Sequence, residues 1–258
     1  MVATSPKPAP TRALTQSELD ACVERGALRD AVVDASIAWP DETTNLEIGN
    51  CRFDGVAFRQ AVLTGAHFTD CKFDDCSFRS ADLSEAHFER CRFYDSDTER
   101  GCDFSYANLR NSRFDGCDLT TATLTRTRAY GIEMLRCQAS GIDFTNADFA
   151  LGQGDFTSAT FAECNFAYAD FSRTVLNGAS LAGCRLSHSV WHDASLRDAD
   201  LTACELDNVE ARGLDLRGAD LRDARFNRLD PREIDLTGVR MYAEQGLDVL
   251  RTLGIEID

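Results

Sequence analysis

A large apolar residue recurs every five positions through most of this chain. Phe53, Phe58, Leu63, Phe68, Phe73, Phe78, Leu83, Phe88 and Phe93 form the first run. A second begins at Phe104 and passes Leu109, Phe114, Leu119 and Leu124. It weakens at Ala129, Met134 and Ala139, then recovers at Phe144 and Phe149. A third begins at Phe156, passes Phe161, Phe166 and Phe171, and is leucine-rich from Leu176 to Leu236. All 16 phenylalanines lie on these centres. A period of five matches neither the 3.6 of a helix nor the 2 of an ordinary strand, so it marks a structural repeat.

Two residues before each centre stands a small residue, as at Ala61, Ala66, Cys71, Cys76, Ala81, Ala86 and Cys91. Ten of the 11 cysteines occupy this slot, Cys22 alone excepted, and several recur at 20-residue intervals. Five residues therefore make one side of a coil, and four sides make a turn. One small and one large inward residue per side fill a narrow core, and the other three face water. With no secretory leader and no metal-binding cysteine spacing, the thiols are expected to be reduced and buried in a ladder.

The pattern resembles the pentapeptide-repeat family, with its A-(D/N)-L-x-x consensus. It is read at Ala81-Asp82-Leu83, Ala107-Asn108-Leu109, Ala199-Asp200-Leu201 and Ala219-Asp220-Leu221. The resemblance implies an all-β solenoid, a right-handed quadrilateral β-helix over residues 46–240. Residues 46–236 make about 9.5 coils, a rod of about 45 Å at ~4.8 Å per coil. Residues 1–14 are expected to be disordered. Residues 15–45 are expected to form a helical N-terminal cap: Thr15 and Glu18 have capping-box spacing, and a second short helix carries Leu28, Ala31, Val32 and Ala35. Residues 241–258 are expected to be a dimerisation helix and strand, with Leu247, Leu250, Leu253, Ile255 and Ile257 at the interface.

Two insertions break the period. One is Tyr94-Asp95-Ser96-Asp97-Thr98-Glu99-Arg100-Gly101; the other is residues 150–155. A solenoid can eject such residues as loops, which either bind a partner or are merely tolerated. Here a narrower resemblance enters, to the Qnr quinolone-resistance group. It is carried by Cys91-Arg92-Phe93-Tyr94-Asp95, Gly101-Cys102-Asp103-Phe104-Ser105, Cys117-Asp118-Leu119, Tyr130-Gly131-Ile132-Glu133, Arg136-Cys137 and the tail Leu253-Gly254-Ile255. MfpA and AlbG are looser relatives. The resemblance implies a partner, DNA gyrase and/or topoisomerase IV, guarded against quinolone- or albicidin-type inhibitors. It also implies that Tyr94–Gly101 contacts that enzyme and that the chain is a homodimer through its C-terminus. The segment 150–155 is shorter than the group's second loop, and residues 1–45 have no counterpart in it.

Charge gives a separate reading. The chain holds 43 acids against 27 Lys and Arg, a formal net charge of −16. That balance argues against direct nucleic-acid binding. The position before each centre is acidic in the last coils, at Asp200, Glu205, Glu210, Asp215, Asp220, Asp230 and Asp235. This column is either a DNA-like surface for a basic groove or a solvated face of the repeat. No stretch reaches the length of a membrane span, and Met1 to Thr11 holds three prolines and no apolar run, so a cytoplasmic location is expected. No phosphate loop, nucleophile elbow or metalloprotease motif occurs, so no catalytic residue, cofactor or metal is assigned. The competing reading is a generic interaction scaffold whose acidity serves solubility.

Overall fold

The computed structural model describes residues 13–150, 156–227 and 229–256. The expected loop at 150–155 thus lies outside the described residues apart from Ala150, as do Ile257 and residues 1–12. The chain is a four-sided β-solenoid with a short helix at each end. One side is the parallel sheet β1 (Ala27–Arg29), β3 (Glu47–Gly49), β5 (His67–Thr69), β7 (His87–Glu89), β10 (Arg113–Asp115), β11 (Glu133–Leu135) and β12 (Thr160–Ala162). The next side stacks β2 (Val32–Asp34), β4 (Arg52–Asp54) and β6 (Lys72–Asp74). Isolated parallel bridges continue both ladders and form the remaining sides.

Register counts the coils. Ala27 pairs with Glu47, then His67, His87, Arg113, Glu133 and Thr160 follow in line. The same line continues through Ser180, Asp200, Asp220 and Arg240. The count therefore differs from 9.5: ten coil-to-coil steps span about 48 Å at ~4.8 Å each. The excess lies at the N-terminus, where the expected second helix does not exist. Leu28 and Val33 stand five apart and in phase with Phe53, so they are centres of the first coil, buried in β1 and β2. Nor is residue 13 or 14 loose: Ala13 pairs with Val32, and the Leu14 N–H donates to the Val32 carbonyl at 2.9 Å.

Why five residues make one side is clear from the backbone. The residue two after most centres turns the corner in the left-handed region, with φ from 47° at Asp75 to 74° at Gly218. Asn, Asp and Gly tolerate that conformation best and fill many corners. Where aspartate precedes the centre, it accepts the N–H two residues on, as Asp143 does from Thr145 at 2.8 Å and Asp200 from Thr202 at 3.0 Å. The consensus aspartate is thus a corner brace before it is a surface charge.

Inside, the centres stack. The Phe53 and Phe73 rings lie 4.9 Å apart at 7°, and Phe73 and Phe93 lie 4.8 Å apart at 4°. Adjacent sides meet edge-to-face, as Phe73 meets Phe78 at 5.3 Å and 69°. Trp191 is a core residue of this kind, stacked on Phe171 at 4.2 Å with its Nε1–H donating to Ser189 Oγ. One centre departs from expectation: Phe156 is 59% exposed. Pro231 takes a centre slot and breaks the last coil, as a proline there should, with Leu229 and Ile234 buried beside it.

Helix α1 (Gln16–Glu24) closes the first coil, with Leu19 buried and the Thr15–Glu18 capping box formed. Helix α2 (Ala243–Thr252) closes the last. Its Gln245 Nε2 donates to the Leu221 and Ala224 carbonyls at 2.7 Å, serving backbone groups that the coil end leaves open. Phe73→Ala empties the centre of one stack and should cost about 3–5 kcal/mol in chemical denaturation. A loss below about 1 kcal/mol would show that the ring columns do not hold the coils together.

Candidate protein-interaction site

The first insertion is an ordered hairpin. β8 (Tyr94–Asp95) pairs antiparallel with β9 (Arg100–Gly101), and the Cys102 N–H donates to the Phe93 carbonyl at 2.9 Å across its base. Asp95 turns inward and is buried. Its carboxylate accepts the Asp97 N–H and the Thr98 hydroxyl, each at 2.9 Å. These bonds, led by the one from Asp97, hold its pKa below the usual carboxylate range. Arg92 straps the hairpin from below, donating to the Tyr94 carbonyl at 2.8 Å and to Ser96 Oγ at 2.9 Å.

Gly101 is structural in a different way. A Cβ there would fall 2.4 Å from the Ala122 nitrogen and 2.5 Å from the Thr120 oxygen. The hairpin therefore lies against the backbone of the next coil, which only glycine permits. Of the eight residues read as a contact loop, Ser96, Asp97, Thr98, Glu99 and Arg100 offer exposed side chains. Asp95 and Gly101 build the platform.

The acidic column is less bare than its residues suggest. Asp215 pairs with Arg217 at 2.6 Å, and Asp230 pairs with Arg232 at 2.5 Å. Asp235 lies 3.6 Å from Arg217, and Glu205 lies 3.5 Å from both Arg185 and Arg225. Glu210 faces His192 at 3.5 Å. Asp220 is buried, held by Arg222 at 2.7 Å and Arg240 at 3.1 Å. Asp200 braces its corner through the Thr202 N–H and hydroxyl. Stacking does bring Asp200 over Asp220 and Asp215 over Asp235. Arginines in Asp-x-Arg order, at Arg217, Arg222 and Arg232, offset the repulsion of these stacked like charges.

At the C-terminus, Val249 is buried against the last coil, while Tyr242, Leu247, Leu250, Leu253 and Ile255 remain exposed. Gly254, at φ +77°, ends the helix. No strand follows among the described residues. The ten repeat cysteines are buried and all cysteines are free, with Cys22 half-buried. Burial pushes the Cys76 and Cys204 thiols up to about 12. His67 and His87 stack, with ring nitrogens 2.7 Å apart, and no three potential metal ligands converge among the described residues.

Asp220 is the carboxylate whose titration this geometry makes most telling. The Arg222 hydrogen bond, with Arg240 beside it, lowers its pKa to about 2. A lowered folded-state pKa gives stability that is present above the ordinary value of about 4 and is lost as pH falls toward 2. Asp220→Asn should therefore lower the denaturation midpoint at pH 7, and the gap from the parent should close between pH 4 and pH 2. A gap that stays constant over that range would contradict the pairing.

Comparison with known proteins places this geometry. The family described as "Pentapeptide repeat region" matches residues 66–144 and 154–236. The chain is 40% identical over 91 residues to the pentapeptide repeat protein QnrB4 of Escherichia coli, covering 34% of this chain and 42% of QnrB4. It is 32% identical over 141 residues to the quinolone resistance pentapeptide repeat protein QnrB96 of Scandinavium goeteborgense, covering 54% of this chain and 56% of that relative. The chain thus spans about half the length of these curated relatives. Among solved structures it superposes on trypsin-treated QnrB1, described as a plasmid-mediated fluoroquinolone resistance protein. The TM-score is 0.69 and the identity 30%, over 83% of this chain and 99% of that one. Full-length QnrB1 gives a TM-score of 0.65 at 30% identity, over 83% and 100% of the two chains. The repeat register, the four-sided coil and these matches together make this chain a Qnr-like member of the pentapeptide-repeat family.

Proposed function

We propose that this protein binds a type II DNA topoisomerase, gyrase and/or topoisomerase IV, and protects it from quinolone- or albicidin-type inhibitors. The observation that carries this reading is the braced hairpin at 94–101, on a solenoid that resembles a fluoroquinolone resistance protein over 83% of this chain. Five exposed polar side chains from Ser96 to Arg100 stand on a platform already ordered by Asp95, Arg92 and Gly101. Such a feature binds with little further loss of conformational freedom. The net charge of −16 supports approach to a basic, DNA-binding groove and would mainly raise the on-rate. Protection follows either from competition with DNA or from contact of the hairpin with the drug–enzyme–DNA complex.

The acidic column takes a smaller part in this reading than residue count alone implies. Among the described residues, arginine pairing leaves Asp200 and Glu210 as its members without an arginine in contact. The same pairing is what favours the second reading, a generic interaction scaffold with no topoisomerase role. The two differ in a gyrase supercoiling assay with quinolone. The parent protein should restore supercoiling, and deletion of 96–99 should abolish that protection while shifting the melting temperature by no more than about 2 °C. Equal protection by the deletion variant would leave the rod as the active part and remove the hairpin from the mechanism.

The exposed apolar side chains on and after α2 support a homodimer through the C-terminus, with Leu247, Leu250, Leu253 and Ile255 across the dyad. Two rods of about 48 Å placed end to end would span about 96 Å, or roughly 28 base pairs at 3.4 Å each. A two-fold particle of that length matches a two-fold enzyme. Leu250→Asp should give a monomer by light scattering with its β circular dichroism intact. A variant that stays dimeric and folded would place the interface elsewhere.

A further inference from the structure

One side of the coil carries cysteine in the small slot of eight consecutive coils, from Cys51 through Cys91 and Cys137 to Cys204. Packing alone does not demand this. On the preceding side the same slot is alanine at Ala66, Ala86, Ala159, Ala179, Ala199 and Ala219. The residues following the cysteines pair in unbroken parallel register, from Arg52 and Lys72 to Arg185 and Glu205, so the thiols form one straight ladder. All eight are free and no more than 2% exposed. Most donate weakly to a carbonyl of the preceding coil, as Cys117 does to Phe88 at 3.3 Å. The Cys137 N–H points at Cys164 Sγ at 3.4 Å, which sets one sulfur above the next residue down the ladder.

We propose that this ladder is a binding site for a soft, linearly two-coordinate d10 cation, held between the thiolates of adjacent coils. Metal–thiolate bonds of about 2.3 Å laid end to end span about 4.6 Å, close to the ~4.8 Å between coils. In-register stacking repeats the thiols at the coil spacing, and neighbours from Cys51 to Cys184 lie within hydrogen-bond reach of one another, so one ion can replace the protons of an adjacent pair and bridge its two sulfurs. The same parallel arrangement disfavours a disulfide, which draws the Cβ atoms to about 3.8 Å. A straight ladder also cannot gather three donors at one point, in keeping with the absence of any converging three-ligand cluster among the described residues. Tetrahedral zinc is thereby excluded, and soft ions that accept two sulfurs are selected.

The chemistry balances without electron transfer. Two Sγ–H groups release their protons to water, and two metal–sulfur bonds form. A divalent ion leaves the pair neutral, which an apolar interior can hold far better than a net charge. Entry requires transient opening of coils, easiest at the ends where a coil has one neighbour, so uptake is slow.

Mercuric ion tests the site in the full chain carrying Cys22→Ser, Cys76→Ala and Cys102→Ala, which remove the half-buried thiol and the second stacked pair and leave the eight ladder thiols. Native mass spectrometry should show slow uptake of about four ions, with two protons released per ion and a higher melting temperature. Two variants then keep four ladder thiols each. Replacing Cys137, Cys164, Cys184 and Cys204 by Ala leaves adjacent thiols and should retain about two ions. Replacing Cys71, Cys117, Cys164 and Cys204 by Ala leaves thiols two coils apart and should retain none. Equal uptake by the two folded variants, or uptake by the eight-thiol chain only as it unfolds, would overturn the site. Should either variant fail to fold, the eight-thiol result alone decides.

Discussion

In-register parallel stacking of coils is the interaction on which everything else depends. Each coil meets only its neighbours, so the structure repeats along one axis and needs no long-range closure. The stacking places like over like, ring on ring in the core and corner on corner outside. It explains why a narrow core, two inward residues per side, suffices to order a rod of ten steps. It also explains why aspartate before a centre is so common, because that carboxylate braces the turn that ends each side.

Stacking also decides which insertions the fold can use. The hairpin leaves the coil after Phe93 and returns at Cys102, and the ladder resumes as Arg92 pairs with Asp118. Nothing in the core is displaced. What makes the hairpin more than an ejected loop is its fit to the coil above, where Gly101 meets the Thr120–Ala122 backbone, and its internal bracing by Asp95. The solenoid is thus a rigid mount, and in the proposed function the contact surface is the few exposed side chains at the hairpin tip.

The repeat itself was legible in the sequence because phenylalanine at every fifth position has few other meanings. Less legible was where it starts. Leu28 and Val33 are on phase, but with Ala31, Val32 and Ala35 they also satisfy helical spacing, and the stacking partner at β3 is what decides. Phe156 keeps the phase in the sequence and still faces solvent, because it pairs with Asn177, one residue past the buried centre Leu176, and is out of register with the inward position. Charge was legible as a total and misleading as a surface. Arginine two residues after aspartate folds back across the corner, a contact that linear spacing does not announce. Asp95, similarly, falls among the contact residues by resemblance, and hydrogen bonding to Asp97 and Thr98 turns it inward.

Hydrogen exchange on the protein alone and with gyrase tests the central claim, that the solenoid presents a preformed hairpin to a topoisomerase. The account predicts that the Asp97 and Cys102 amides are already protected in the free protein, and that residues 94–101 gain further protection when the enzyme and DNA are added. Fast exchange at those amides in the free protein, or no change in the hairpin at saturating gyrase, would contradict it.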